Sequence, residues 1–156
     1  MIILIDGREQ QIRHITTGLD RMGIEHKRHT LKFGDYSFEL NGKSYENEVT
    51  IERKATLTEL AGNLTKGKRR FENEFRRAMA RNCKMHLAIE DGSFEKIRQH
   101  KYRSTLNPSE YLARLNTWGY KFQFVPEFVQ KYSMCGYIVN TFNKFLEQNK
   151  GEVVEK

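Results

Sequence analysis

Residues 2–5 form a fully apolar run, Ile2-Ile3-Leu4-Ile5, closed by Asp6-Gly7. A run of that length bounded by a turn pair predicts a buried strand with Asp6 at its end. Ile12, Ile15, Leu19 and Met22 then recur at three- and four-residue steps, which predicts an amphipathic helix from Gln10 to about Met22, stopped by Gly23. His26–Leu31 and Tyr36–Leu40 read as strands, Asn41-Gly42 as a two-residue hairpin turn, and Tyr45–Glu52 as the returning partner strand. On that reading Asp35 and Glu52 sit on paired strands.

Past Lys54 the period changes to helical. Thr56 or Thr58 is positioned to cap a helix running toward Leu64, which Lys66-Gly67-Lys68 breaks. In the next helix Phe71, Phe75, Ala78 and Met79 mark one stripe, while Arg70, Arg77 and Arg81 fall elsewhere on its surface. Met85–Ile89 is a further short strand ended by Asp91-Gly92, residues 94–118 are expected as two helices split near Asn107-Pro108, and Lys121–Val125 is expected as the last strand. Val129, Tyr132, Gly136, Val139, Phe142 and Leu146 predict a long C-terminal helix after Pro126, whose stripe fits either its own sheet or a second copy of the chain. Strands first, then mixed helices and strands, predict an α/β fold with a mixed central sheet flanked by helices. Residues 1–148 read as one domain and 149–156 as a short charged tail.

Composition narrows the function. Hydrophobic residues at 38% and charged residues at 30% describe a soluble globular domain rather than a disordered chain. No apolar run approaches the ~20 residues of a spanning helix, and the N-terminal run lacks a basic leader, so a cytoplasmic protein of a bacterium or phage-infected cell is expected. Cys83 and Cys135 are too few and too far apart for a disulfide framework or a zinc ribbon. The net charge of +7 is concentrated: residues 66–84 hold eight basic side chains against two acidic ones, whereas the rest is nearly balanced. Such a segment is the electrostatic footprint expected for a polyanion, with Lys66, Lys68, Arg69, Arg70, Arg77 and Arg81 as DNA-binding candidates.

The chemistry-bearing pattern is Gly34-Asp35 before one strand and Ile51-Glu52-Arg53-Lys54 at the end of another. Along a strand alternate side chains share a face, so Glu52 and Lys54 point one way and Arg53 the other. Asp35 on the neighbouring strand reaches the same side as Glu52, and two carboxylates make a site for a hard cation, Mg²⁺ or Mn²⁺, to which the Arg53 carbonyl can add an oxygen. A lysine beside them can position water or stabilise charge on a phosphoryl oxygen. Glu-x-Lys alone is equally what an exposed cross-strand ion pair produces.

The three blocks Ile5-Asp6-Gly7-Arg8-Glu9, Gly34-Asp35-Tyr36 and Ile51-Glu52-Arg53-Lys54, in that order and followed by a helix, resemble the nuclease domain of the XPF family of structure-selective endonucleases. Glu59–Lys66 and Arg70–Phe75 are similar to its small bacterial and phage versions in particular. The resemblance implies a restriction-endonuclease-like fold, cleavage of branched, flap-bearing or forked DNA in repair, recombination or replication, Mg²⁺ or Mn²⁺ held by Asp35 and Glu52, and a catalytic role for Lys54. It also implies Asp6 as a further acidic neighbour of the site, and a possible homodimer. Arg8 and Glu9 are supporting charges or a plain ion pair. Arg53 contacts a phosphate or braces Asp6, with bracing preferred.

Two departures from the family pattern stand out. The family's Asp four residues after the Lys is replaced by Thr58, so either the adjacent Glu59 substitutes for it or the outer carboxylate is dispensable. No helix-hairpin-helix module is read in the chain. His26 and His29 are read as ordinary polar positions, and Trp118, Tyr120, Phe122 and Phe124 as core rather than base-stacking residues. The competing function is a catalytically silent DNA-binding or scaffold module, and a third is an RNA or nucleotide hydrolase with the same metal site.

Overall fold

The computed structural model describes residues 1–154, with side chains to Lys150. Strand β1 (Ile2–Asp6) leads into helix α1 (Arg13–Arg21) and returns as β2 (Glu25–His29), parallel to β1. Strand β3 (Tyr36–Leu40) runs antiparallel to β1 and to β5 (Val49–Lys54), and the two-residue β4 (Lys43–Ser44) closes the hairpin on β3. Asn41 and Gly42, with φ of 51° and 80°, make the expected tight turn. The returning strand is not continuous, as its period suggested. Tyr45 N still donates to Phe38 O at 2.9 Å and its ring stacks on that of Phe38 at 4.5 Å, but backbone bonds from Glu48 N and Val49 N to Tyr45 O then fold residues 45–48 into a turn.

Helices α2 (Leu57–Asn63) and α3 (Lys68–Ala80) precede β6 (Lys84–Glu90), which lies parallel to β5. Thr56, not Thr58, caps α2: its Oγ1 accepts from Glu59 N at 3.0 Å, a contact worth about 1 kcal/mol. Helices α4 (Phe94–Arg98) and α5 (Pro108–Phe122) follow, then β7 (Glu127–Val129) parallel to β6, one 3-10 turn at Lys131–Ser133, and α6 (Met134–Val154). The sheet order is β2-β1-β3-β5-β6-β7, a mixed seven-stranded sheet between two helical layers. This is the α/β architecture expected. Helix α6 runs through positions 149–154, and residues 155–156 of the expected tail lie outside the described residues.

Two late elements differ from expectation. Lys121–Val125 is not a strand: α5 continues to Phe122, and Gln123, in the left-handed region at φ 57°, ends it. Trp118 and Phe122, four apart on one helix face, pack 5.2 Å from Phe71 and 5.5 Å from Phe75, while the reversal brings Phe124 to 5.0 Å from Phe75. Aromatics at every second position suit a strand, whereas only positions 118 and 122 share a helix face; packing chooses the helix, and Tyr120, expected in the core, is left 91% exposed. Val129 belongs to β7, where it pairs with Glu90, so the last helix starts later than its periodicity implied. The stripe of α6 (Met134, Cys135, Ile138, Val139, Phe142) is buried against this chain's own sheet and α1. Met79, expected in the stripe of α3, is 40% exposed.

The two cores lie on opposite sheet faces. Leu60, Leu64, Phe71, Phe75, Leu87, Ile89 and Trp118 fill one, beneath α2, α3 and α5. Ile3, Ile5, Ile15, Phe38, Val49, Ile51, Ala88 and Phe142 fill the other, beneath α1 and α6. Truncating Phe75 to Ala should cost about 3–5 kcal/mol. Among the described residues no helix is long and apolar enough to cross a membrane. Cys83 and Cys135 are free and buried, and burial pushes the Cys83 thiol up to about 11, as expected of packing residues.

Candidate active site

All six residues of β5 are buried, because the strand is central in the sheet and covered on both faces. Alternation therefore assigns its polar side chains to different layers. Glu52 and Lys54 share the face of α2 and α3, whereas Arg53 shares the face of Val49 and Ile51. Lys54 Nζ donates to Glu52 Oε1 at 3.0 Å and lies 4.9 Å from the centre of the Phe71 ring. The pair is thus not the exposed cross-strand pair that Glu-x-Lys often signals.

Asp35 immediately precedes β3. Its N–H donates to Ile51 O at 2.7 Å, and its Oδ2 accepts from Arg53 N at 2.7 Å. Five carboxylates (Glu9, Asp35, Glu52, Glu59, Glu74) and four cations (Arg8, Arg53, Lys54, Arg70) line one cavity of about 400 Å³, together with Asn63, Gly67 and Phe71. Burial holds the Asp35 carboxyl well above the usual carboxylate range, with the Glu52 and Glu9 charges adding to the effect. Glu52 is pushed up to about 7 by burial, against the pull of Lys54. Burial works against the Lys54 charge, yet Glu52 and Asp35 beside it raise its pKa and keep it an ammonium.

The donor set suits a hard divalent cation. Glu52 Oε2 is buried with no hydrogen-bond partner, which costs about 1–3 kcal/mol if nothing else satisfies it. Asp35 and Glu52 also repel each other, and the Glu52 charge raises the Asp35 pKa, a strain a cation would relieve. Among the described residues no three His, Cys, Asp or Glu side chains converge as a closed cage. Asp35 and Glu52 line the same cavity as an open pair of carboxylates, the kind of donor set that Mg²⁺ accepts when water and substrate oxygens complete it.

Other candidates take different places. Asp6 does not line the cavity: Oδ1 accepts from Arg8 N and Nε at 3.0 and 2.9 Å, and Oδ2 from Leu31 N at 3.0 Å. Burial opposes its charge, but these bonds leave its pKa lowered. Arg53 does not brace Asp6. Its guanidinium contacts Glu90 Oε1 and Oε2 at 2.8 and 3.2 Å and Glu9 Oε2 at 2.9 Å, because Arg53 faces the α1/α6 layer into which Glu90 of β6 also projects. Glu9 also accepts from Tyr36 Oη at 2.8 Å, and His14 Nε2 lies 2.6 Å from Glu90 Oε1. Glu59 lies 3.8 Å from Lys54 Nζ and accepts from Ala55 N, whereas Thr58 Oγ1 accepts from Arg103 N.

The basic segment spreads along α3. Arg70 reaches the carboxylate cavity. Lys66, Lys68 and Arg69 line a second cleft of about 460 Å³, joined there by Arg76. Arg77 and Arg81 line a third of about 370 Å³ with Lys32 and Phe33. Glu74, Glu90 and His14 escaped the sequence reading. The available hint was Glu90 itself, a lone acid closing the apolar strand Met85–Ile89.

A comparison with curated proteins finds no match. Among solved structures, XPF from Aeropyrum pernix superposes with a TM-score of 0.71 at 16% identity, over 99% of this chain and 69% of that one. The structure of XPF from Aeropyrum pernix in complex with DNA gives a TM-score of 0.69 at 16% identity, over 94% of this chain and 66% of that one. The chain therefore spans about two thirds of the length of these structures, and the likeness establishes a shared fold. The profile of the ERCC4 domain matches residues 5–148, which include all the cavity residues, and on that match the chain belongs to the ERCC4 domain family.

Proposed function

We propose that this chain is a Mg²⁺- or Mn²⁺-dependent endodeoxyribonuclease that hydrolyses phosphodiester bonds in branched, flap or forked DNA. Family membership, and a likeness to an XPF structure solved with DNA, support a DNA endonuclease. The observation that carries the reading is the convergence of Asp35, Glu52 and Lys54 on one cavity whose wall includes Arg70 of the basic helix. The preference for branched DNA rests on the motif resemblance.

Asp35, Glu52 and the Arg53 carbonyl would hold the cation, which when bound supplies an acidified water and a counter-charge for the phosphate. Glu52 divides its oxygens: Oε1 accepts from Lys54, and Oε2 is left for the cation. Lys54, kept charged by Glu52 and Asp35, donates hydrogen bonds to the attacking water or to a phosphoryl oxygen where negative charge grows. The Phe71 ring against its ammonium excludes solvent from one side. Arg70 and the other cations of α3 draw in and position the phosphate backbone without reading bases.

The test is a cleavage panel of flap, fork, four-way, linear duplex and single-stranded DNA, and RNA, with Mg²⁺, Mn²⁺ or chelator. Metal-dependent nicking of branched DNA is expected. Binding without nicking under any metal would favour the scaffold reading, and cleavage confined to RNA would favour the third.

A further inference from the structure

We propose that Glu74 is a positioning residue of this active site, fixing the turn that presents Asp35 and tying it to the basic helix α3. The proposal rests on the nuclease reading and adds a residue to it. Glu74 Oε1 accepts from Gly34 N at 2.8 Å, across forty positions of sequence. Gly34 adopts φ +68°, and a Cβ there would lie 2.8 Å from both Thr50 Cβ and Thr50 Oγ1 and 3.1 Å from Ile51 O. The turn is thus pressed against β5 in a conformation that glycine adopts without strain, and because glycine is also free to adopt many others, an outside bond helps to fix this one.

Asp35 takes its bonds from the sheet. Its N–H donates to Ile51 O, its carbonyl accepts from Asp6 N, and its Oδ2 accepts from Arg53 N. The bond on Gly34 comes instead from α3. Phe33 packs in the core beneath that helix, and Lys32 and Phe33 share a cleft with Arg77, Ala80 and Arg81, so the loop continues along the C-terminal end of α3 past Glu74. Arg70 precedes Glu74 by one helical turn and lines the same cavity. Helix α3 therefore carries a phosphate-binding cation and the acceptor that sets the loop bearing Asp35. A carboxylate makes the stronger, charge-assisted bond to the amide, and a glutamine oxygen can still make it. Glu74 touches no reacting atom in this scheme: it acts through the position of Asp35.

The experiment compares wild type, Glu74→Ala and Glu74→Gln in the full chain, with three readouts: hydrogen exchange of the Gly34 amide in ¹⁵N-glycine-labelled protein, calorimetric Mn²⁺ affinity, and cleavage of branched DNA. Loosening the turn that carries a proposed metal ligand should weaken Mn²⁺ binding and kcat by roughly 10-fold, the lower end of the effect of removing a ligand's own outer partner. Glu74→Ala should also speed Gly34 exchange while leaving KM for DNA nearly unchanged, and Glu74→Gln should recover most of each loss. Wild-type Gly34 exchange in Glu74→Ala, or unchanged Mn²⁺ affinity despite faster exchange, overturns the proposal. So does a Glu74→Gln variant as defective as Glu74→Ala, since the charge would then be what acts. Failure of wild type to cleave any DNA would sink the nuclease reading separately, and the exchange and Mn²⁺ measurements would still decide the role of Glu74.

Discussion

The main-chain N–H of Arg53 donates to Asp35 Oδ2 at 2.7 Å, so the strand carrying Glu52 and Lys54 also holds the first carboxylate of the site. One face of β5 supplies the acid and the ammonium, and its backbone supplies the clamp. This is economical because a strand fixes alternate side chains and the amide between them in one rigid unit.

That clamp makes Asp35→Asn a clean probe. Asparagine keeps an oxygen for Arg53 N and removes one charge from the proposed metal site. Cleavage should nearly vanish and Mn²⁺ affinity should fall in calorimetry, with the thermal midpoint little changed. DNA binding in chelator should persist or tighten, because a charge repelling the phosphate, worth on the order of 1 kcal/mol near a wet surface, is gone. Unchanged Mn²⁺ binding would remove Asp35 from the ligand set.

The raised pKa of Glu52 sets a pH dependence. Its folded value of about 7 lies above the 4.5 of a free glutamate, so the folded chain holds this proton more tightly than the unfolded chain. The associated stability is fully present below about pH 4.5 and is lost as pH rises through about 7. Asp35, raised by burial and by Glu52, acts in the same direction. In chelator, the thermal midpoint of wild type should fall relative to that of Glu52→Gln between pH 5 and pH 8, and saturating Mn²⁺ should shrink the difference. A difference of the opposite sign would show that Glu52 ionises readily in the folded state.

Charge on α3 predicts a salt signature. Replacing Arg69, Arg70, Arg77 and Arg81 with Gln should lower DNA affinity in low salt and reduce the slope of log affinity against log salt by up to about 3–4, at roughly 0.9 for each duplex phosphate the chain no longer neutralises. Binding isotherms at four or five salt concentrations measure it. An unchanged slope would place the DNA surface away from this helix.

The parts of the site legible in the sequence are those that depend on local geometry. Glu52 and Lys54 share a face because strands alternate, and Asp35 is marked by the glycine its turn requires. The hairpin is marked by Asn41-Gly42 for the same reason. What stays hidden depends on distant register. Arg53 meets Glu90 because β6 pairs with β5 so that Ala88 lies opposite Arg53, and Glu90 follows two residues on with its side chain on the same face. Glu74 meets Gly34 because α3 crosses the end of that loop. Neither crossing leaves a periodic trace. The aromatic run after Trp118 misleads for a related reason, since positions 118 and 122 suit a helix and positions 120, 122 and 124 suit a strand, and only the partners Phe71 and Phe75 decide.

Arg53 is where the structure most changes the expected division of labour. Its side chain is 3% exposed and its guanidinium spans Glu90 and Glu9, and burial works against its charge while those carboxylates, Glu90 first, raise its pKa. Arg53 is therefore an internal strut between β5, β6 and the loop after β1, not a phosphate ligand. Arg53→Ala should cost about 3–5 kcal/mol by leaving buried carboxylates without their cation. Arg53→Lys keeps the charge but cannot fork between both partners, so its thermal midpoint should fall by less than that of Arg53→Ala. The backbone N–H to Asp35 survives in both variants, and below the unfolding transition Arg53→Lys should bind DNA in chelator with wild-type affinity and salt slope. A salt slope reduced by about one unit in Arg53→Lys would instead mean that the guanidinium reaches a phosphate, and the strut would be the wrong account of this residue.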